Sequence, residues 1–216
     1  MKKIILTLTA IGLFFIHVHA QEGHKINASF DFSFGLNYFN SNIENPTVIA
    51  ANLGYEYNFT DYLGIEIGIK GGQFHQTVRY GNPTISPSGI DNNNSLSKNI
   101  YKGNLWAPYI APRLYYPLGE DNNKGRSKYL YLENKFSYTQ SELKLDEIDN
   151  LRGTKSKSRI EYEIKLGFAY PIEDNWMINC WLGYNTYDFG RIKPEVIRFK
   201  NASPIQIGLG FSYIIK

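Results

Sequence analysis

Apolar and polar residues alternate along eight stretches of this chain, and this alternation restricts its fold more than any other feature. In residues 26–38 every even-numbered residue is apolar or aromatic, and every odd-numbered residue is polar or glycine. A period of two residues indicates a β-strand with two unlike faces. The predicted strands are 26–38, 49–59, 63–70, about 104–116, about 128–138, 159–170, about 176–186 and 204–215.

Two of the stretches contain interruptions. Gly71 and Gly72 break the alternation after the third stretch, which predicts a β-bulge there. Pro108 and Pro112 lie in the fourth stretch. Proline has no N–H for the ladder, so the fourth strand is the least regular of the eight.

The lengths of the strands and of their connections favour a membrane protein. Most stretches run about 10–13 residues, which exceeds the roughly 5–6 of globular strands and suits a tilted transmembrane strand. Tight links at 60–62 and 171–175, and a longer hydrophilic one at 117–127, alternate with the remaining links. Short turns at one end and long loops at the other are typical of outer-membrane barrels. The remaining links are 39–48, 71–103, 139–158 and 187–203.

Alternation alone leaves two orientations open: a soluble, lipocalin-like barrel with the apolar face inside, or a membrane barrel with it outside. Apart from Lys128 at the start of the fifth stretch, no charged residue falls on the apolar side of the eight stretches, as expected where a Lys or Arg in mid-bilayer would cost about 2–4 kcal/mol. The polar side is rich in Gly, Asn and Ser and carries six acids and five bases, which suits an interior where buried charges must pair. The predicted interior ion network comprises Asp31, Glu56, Glu66, Lys70, Arg113, Glu133, Lys135, Arg159, Glu161, Glu163 and Lys165.

Tyr and Trp residues gather near the strand ends. Amphipathic rings at both membrane interfaces form the aromatic girdle of a membrane barrel. The predicted girdle residues are Tyr57, Tyr62, Trp106, Tyr115, Tyr116, Tyr129, Tyr131, Tyr170, Trp176 and Tyr213.

These features predict an all-β fold: an eight-stranded antiparallel up-and-down transmembrane β-barrel with short periplasmic turns and long extracellular loops. The sheet must close because hydrocarbon offers no partner to free backbone groups. Eight strands enclose a space that side chains just fill. We therefore expect a plugged, salt-bridged interior.

The N-terminus has the layout of a cleavable secretory signal peptide. Lys2 and Lys3 precede an apolar run over residues 4–16, and Val18-His19-Ala20 precedes the expected cut. The predicted organisation is a signal peptide at 1–20 and a barrel domain at 21–216, located in the cell outer membrane. With 23 Lys and Arg against 20 Asp and Glu, the chain has no electrostatic footprint for nucleic acid.

Three stretches carry a resemblance to a known family: Tyr57-Asn58-Phe59-Thr60-Asp61-Tyr62-Leu63-Gly64-Ile65-Glu66, Tyr170-Pro171-Ile172-Glu173-Asp174-Asn175-Trp176, and Ile207-Gly208-Leu209-Gly210-Phe211-Ser212-Tyr213. With them, residues 21–216 resemble the small outer-membrane β-barrel family typified by PorT-like proteins, and more distantly the OmpA and OmpX type. The resemblance implies residence in the outer membrane. It does not select a task.

Residues that could carry chemistry are few. After the signal peptide, His24 and His75 are the histidines, and no serine adjoins His75. Hydrolytic barrel enzymes need a nucleophile beside a base that a third group orients. Glu161 and Glu163 share a strand face with Arg159 and Lys165, which favours an ion network over a catalytic pair. We expect no enzymatic activity, no catalytic residue and no cofactor.

The sequence also gives little indication of metal binding or of thiol chemistry. Asp91–Ser95 and Asp146–Asp149 lack the spacing of a calcium-binding loop, so no metal site is predicted. The one cysteine, Cys180, excludes an intramolecular disulfide. It lies on the apolar side of its strand, as a small apolar filler would.

The sequence leaves three functional hypotheses. The first is a structural or interaction protein that contacts an extracellular or membrane-protein partner through loops 71–103 and 139–158, since functional contacts concentrate on loops. The alternative is a narrow channel for small solutes, with the Gly-rich polar sides of the third and eighth strands leaving a gap. The third is a soluble lipid-carrying barrel. Expected partners in the membrane case are outer-membrane lipid and, during biogenesis, the barrel-assembly machinery.

Overall fold

The computed structural model describes residues 23–34, 47–81, 84–86, 89–91, 96–121, 126–148, 151–186 and 205–215. Side chains are described for 23–34, 47–75, 102–119, 127–142, 156–186 and 205–215. The predicted signal peptide at 1–20, and the predicted strand residues 35–38, lie outside these ranges. In the part of the chain covered, no helix is long and apolar enough to cross a membrane.

Ten strands make up the described structure. They are β1 (Gly23–Phe34), β2 (Thr47–Thr60), β3 (Leu63–Gly81), β4 (Thr84–Ser86), β5 (Gly89–Asp91), β6 (Leu96–Asp121), β7 (Arg126–Ile148), β8 (Leu151–Pro171), β9 (Trp176–Asn185) and β10 (Ile205–Ile215).

Eight of these strands close into a barrel in the order β1-β10-β9-β8-β7-β6-β3-β2, and every neighbouring pair is antiparallel. Strands β4 and β5 form a separate small hairpin between β3 and β6. Because β1 pairs with both β2 and β10, the cylinder has no open edge along this seam. The predicted eight-stranded antiparallel barrel is confirmed.

The apolar side of each strand faces outward, as the membrane orientation requires. On β1, Phe30 is 67% exposed and Phe32 is 39% exposed, whereas Asp31 between them is 2% exposed. The same contrast holds on β2, where Leu53 is 54% exposed and Glu56 is fully buried. A soluble barrel with its apolar face inside would show the reverse pattern.

The two ends of the barrel differ. One end, which we name the turn end, carries Gly23, Ile215 and the turns at 61–62 and 172–175. At the first turn, the backbone N–H groups of Tyr62 and Leu63 donate to Thr60 Oγ1 at 3.2 and 3.0 Å. The opposite end, the loop end, receives the connections between β1 and β2, β3 and β6, β7 and β8, and β9 and β10.

The predicted long loops at 71–103 and 139–158 are wrong over most of their length, because they are continuations of barrel strands. The β3–β6 ladder runs on to Gly81 opposite Leu96, and the β7–β8 ladder to Ile148 opposite Leu151. Beyond the lipid-facing belt the outward residues become polar, so alternation fades although the backbone pairing continues. The alternation therefore marks the membrane-embedded part of a strand and not its end.

The predicted bulge at Gly71-Gly72 is also wrong. These glycines pair with Ala51 and Ala50 without a change of register, and the shift in the β2–β3 ladder lies between Asn58 and Thr60. The outward residues that follow, Gln73 and His75, are polar and exposed. The break in the alternation at Gly71-Gly72 is therefore the point where the apolar belt ends, on its loop-end side.

The two prolines of β6 fit a central strand because they lie at positions where the β6–β7 ladder has no paired residues. Their missing N–H groups therefore interrupt no pair of that ladder. The β6–β7 pairing passes from Trp106 opposite Gln140 to Tyr109 opposite Ser137, and Pro108 lies in that interval. Pro112 lies in the next interval, before Arg113 opposite Glu133. On the other side of β6, both prolines keep partners in β3.

Candidate functional site in the barrel interior

Six strands place ten charged side chains in the bore of the barrel. Ion pairs connect all ten into one group, which we name the ionic core, with five acids and five bases. Its members are Lys25, Asp31, Glu56, Glu66, Lys70, Arg113, Glu133, Lys135, Glu163 and Lys165.

Arg113 of β6 joins acids from three other strands. Its Nη1 lies 2.6 Å from Glu56 Oε2, and its Nη2 lies 2.6 Å from Glu66 Oε2 and 2.5 Å from Glu133 Oε2. Its Nε also donates to Glu133 Oε2 at 2.6 Å. The planar guanidinium has five donors in a fixed fork, and here it holds three carboxylates at 2.5–2.6 Å.

Two lysines hold the acids nearer the loop end. Lys165 Nζ lies 3.5 Å from Asp31, 3.2 Å from Glu133 and 3.4 Å from Glu163. Lys70 Nζ lies 2.8 Å from Glu163 Oε1 and 3.3 Å from Asp31 Oδ2. Asp31, Glu133 and Glu163 thus each meet more than one cation, as expected where an unpaired buried charge would be costly.

Lys25 was not predicted, and it removes the excess of acids over bases. It is 8% exposed, and its Nζ lies 3.3 Å from Glu56 Oε1 and 4.5 Å from the centre of the Tyr115 ring. The predicted first strand begins at residue 26, three positions after the observed start of β1 at Gly23. Extending the alternation to residue 23 would have placed Lys25 on the inward face.

Arg159 and Glu161, both predicted for the network, form a pair nearer the loop end. Arg159 Nε lies 3.4 Å from Glu161 Oε1, and Glu161 Oε2 accepts a hydrogen bond from Thr186 Oγ1 at 2.9 Å. The Arg159 side chain is 27% exposed. Glu163, two residues along the same face, contacts Lys70 and Lys165 instead.

Aromatic side chains supply donors and ring faces to the ionic core. Tyr109 and Tyr115 hydroxyls donate to Glu66 and Glu56, both at 2.5 Å, and Trp181 Nε1 donates to Asp31 at 3.1 Å. Lys135 Nζ lies 4.0 Å from the centre of the Tyr109 ring. Trp181 falls on the polar side of its strand, so the alternation itself pointed to an inward ring.

Two predicted girdle residues lie inside instead. Tyr115 and Tyr131 are 9% and 4% exposed and pack with Ala169 and Met177 into a layer at the turn end of the bore. Both sit at odd-numbered positions that alternate with the lipid-facing Leu114, Tyr116, Leu130 and Leu132. Strand parity therefore outweighs closeness to a strand end in deciding where a tyrosine points.

An apolar layer also lies on the loop-end side of the ionic core. Val48 and Phe74 face each other across the β2–β3 ladder, and Leu105 follows on β6; each is buried. On β3 this layer begins directly beyond Lys70. The ionic core is thus bounded by aromatic and apolar side chains toward the turn end and, along β2, β3 and β6, toward the loop end.

Interior glycines make room for the inward rings. A Cβ added at Gly208 would lie 2.3 Å from Trp181, and one at Gly68 would lie 2.5 Å from the Tyr109 hydroxyl. The gap that a glycine-rich channel wall would leave is therefore occupied by rings at these two positions.

Gly208→Ala should lower the free energy of unfolding by about 1–3 kcal/mol, because overpacking forces the Trp181 ring or the strand to move. Urea unfolding of the refolded barrel in micelles measures the loss. Gly71→Ala is the matched control: nothing lies within 4 Å of its added Cβ, and it should be close to neutral. In a Trp181→Leu background the cost at Gly208 should shrink to the part caused by the Phe30 carbonyl oxygen, which lies 2.6 Å from the added Cβ; an unchanged cost there would show that Trp181 is not its cause.

The candidate residues for other chemistry lie on the outer wall. His24 is exposed, and its Nδ1 contacts the Tyr55 hydroxyl. His75 is exposed and lies opposite Lys102, and Cys180 is exposed on the lipid-facing side opposite Leu209. Among the residues whose placement is described, no group of three or more His, Cys, Asp or Glu side chains could hold a metal ion.

An outward apolar wall, a closed ladder and an ion-paired bore together define the class of the protein: a membrane-spanning β-barrel. The chain belongs to the outer membrane protein beta-barrel domain family, whose profile matches residues 6–214. The protein is therefore an outer-membrane barrel. The narrower resemblance to PorT-like proteins stays a prediction.

Solved structures support the fold. The chain is similar to the outer membrane protein OprG from Pseudomonas aeruginosa, with a TM-score of 0.56 and 16% identity over 93% of this chain and 99% of that one. It is also similar to Neisserial surface protein A, with a TM-score of 0.50 and 10% identity over 88% of this chain and 96% of that one. No curated protein matches the sequence.

Proposed function

We propose that this protein is a closed outer-membrane barrel with a structural or interaction role, which it performs with the segments at its loop end. The carrying observation is the filled bore. Ten charged side chains pair with one another between apolar and aromatic layers, and inward rings lie over Gly68 and Gly208. An interior of this kind favours stability over transport.

The surface proposed to meet a partner is the part of the barrel wall that continues past the apolar belt. Strands β3, β6, β7 and β8 have 19, 26, 23 and 21 residues, whereas β9 and β10 have 10 and 11. A tilted span needs only about 9–11 residues. We name the excess of the four long strands, residues 76–81, 96–101, 143–148 and 151–156, the projecting sheet, and we place it outside the cell because outer-membrane barrels put their longer connections there.

Removing the projecting sheet tests the interaction role. Gln76 and Tyr101 face each other across β3–β6, and Leu143 faces Lys155 across β7–β8, so both hairpins can be closed with short turns at these positions. The shortened barrel should still insert, and its binding to host matrix or to neighbouring membrane proteins should fall at least tenfold. Replacing residues 122–125, which connect β6 to β7 in the sequence, is the control. Binding that survives both deletions would defeat the proposal.

The alternative function is a narrow channel, and conductance separates the two. The wild-type barrel, inserted into a planar bilayer, should give no stable current steps above baseline. A gel shift between heated and unheated samples verifies that the barrel is closed and inserted. A Tyr109→Ala/Trp181→Ala variant, which removes the rings over Gly68 and Gly208, shows whether the assay detects an opened bore. Large stable steps from the wild type would favour the channel.

We also propose that residues 1–20 are removed as a signal peptide and that the barrel-assembly machinery inserts residues 21–216. The basis is the Lys2-Lys3 start, the apolar run and the small residue at position 20. The N-terminal residue of protein extracted from outer membranes tests the cut, with Gln21 expected. Reduced insertion on depletion of the machinery tests the second step.

A further inference from the structure

Asn27 of β1 and Glu133 of β7 each carry a buried acceptor atom that makes no hydrogen bond within the described part of the chain. Asn27 Oδ1 and Glu133 Oε1 are buried and have no hydrogen-bond partner among the described residues. The Asn27 amide is held in place by its other end, since Nδ2 donates to Glu56 Oε2 at 2.9 Å and to Glu66 Oε2 at 2.5 Å. Its oxygen is therefore fixed in direction, and a buried acceptor left without a donor costs free energy.

Both residues line the same small cavity. Its volume is about 10 Å³, and its lining includes Asn27, Ser29, Arg113, Tyr131, Glu133 and Trp181. A cavity of about this size holds one water molecule when polar groups surround it. Tyr131 belongs to the turn-end layer, so this space lies within the packed core.

We propose that this cavity is a binding site for a single resident water molecule, which donates one hydrogen to Asn27 Oδ1 and the other to Glu133 Oε1. The inference does not depend on the proposed function.

The chemistry of the site favours water over an ion. An anion is excluded as the bridging group, because it would repel the Glu133 carboxylate and would offer no donor to Asn27 Oδ1. A metal cation is opposed by Lys135 and Lys165, which also line the cavity and already lie 3.5 and 3.2 Å from Glu133 Oε1. The ionic core balances five acids with five bases, so an added ion would leave a net buried charge. Water supplies two donors without charge.

NMR of the isotope-labelled full barrel in lipid nanodiscs tests the site. Trp181 is one of three tryptophans and lines the cavity, and its indole N–H donates to Asp31 at 3.1 Å. Trp106 and Trp176 are 52% and 44% exposed on the outer wall and serve as internal controls. We expect magnetisation transfer from a long-lived water to the Trp181 indole proton and to the Asn27 amide protons, with no such signal at the two controls.

Two variants separate the water from its surroundings. Tyr131→Phe removes a hydroxyl that could relay exchange with solvent, and the Trp181 signal should persist. Asn27→Leu removes one acceptor, and the signal should vanish. A signal that disappears in Tyr131→Phe, or no long-lived water signal at Trp181 and Asn27 in the wild type, would overturn the proposal.

A crystal structure of the wild-type protein provides a second, independent test of the water site. A density peak within hydrogen-bond distance of both Asn27 Oδ1 and Glu133 Oε1 is expected. A featureless cavity, or a peak with anomalous scattering or metal-like distances, would overturn the water assignment.

Discussion

Replacing Arg113 with methionine should lower the free energy of unfolding by about 3–5 kcal/mol, which is the usual cost of removing one partner from a buried ion pair. Arg113 is bonded to Glu56, Glu66 and Glu133, and its side chain is 12% exposed. Methionine fills much of the volume but leaves the ionic core with five acids and four bases. Urea unfolding of the refolded protein in micelles, followed by tryptophan fluorescence, measures the loss.

Arg159→Met is the matched control for this experiment. It removes the same side chain from the same bore, but Arg159 is 27% exposed and pairs with Glu161 near the loop end. A partly exposed pair contributes about 0–1 kcal/mol. Equal losses from the two substitutions would show that the ionic core has no special weight in stability.

Leu209→Arg should destabilise the barrel in phospholipid vesicles by about 2–4 kcal/mol, since it places a charge on the lipid-facing wall near mid-bilayer. Leu209 is 59% exposed and lies in β10 between Phe30 of β1 and Cys180 of β9. Equilibrium unfolding in vesicles measures the effect. The expected cost follows directly from the outward orientation of the apolar face.

Ile215→Arg controls for depth, because Ile215 is on the same face of β10 and opposite His24 at the turn end. A charge near the membrane interface costs about 0–1 kcal/mol. If Leu209→Arg cost no more than Ile215→Arg, the apolar face would not lie in the hydrocarbon.

The orientation of the wall could be predicted because lipid and bore impose opposite demands on neighbouring residues. Phe30, Asp31 and Phe32 carry that contrast in three consecutive positions. Strand ends could not be predicted by the same means, since β3 leaves the lipid near Gly71 and continues as a strand to Gly81. The alternation of apolar and polar residues depends on whether lipid or water surrounds the outer wall, and not on the backbone pairing.

The partners within the ionic core were also beyond the sequence. Alternation shows that Arg113 and Glu56 point inward, but they are 57 residues apart, and Lys165 and Asp31 are 134 apart. Which acid meets which base depends on the register of every strand between them. Lys25 and the inward rings of Tyr115 and Tyr131 follow a simpler rule: the inward and outward parity of a strand holds to its ends, beyond the residues that the apolar alternation marks.

The barrel strands extend to different lengths at the loop end, and this difference affects how a ligand could bind. A flexible loop loses conformational freedom when it binds a ligand, and this loss lowers the affinity. The projecting sheet is instead held by ladders that reach Gly81 opposite Leu96 and Ile148 opposite Leu151. A molecule that bound the projecting sheet would contact a surface that is already ordered. Because the four long strands are neighbours in the barrel, this surface lies on one side of it, and the molecule would approach from that side.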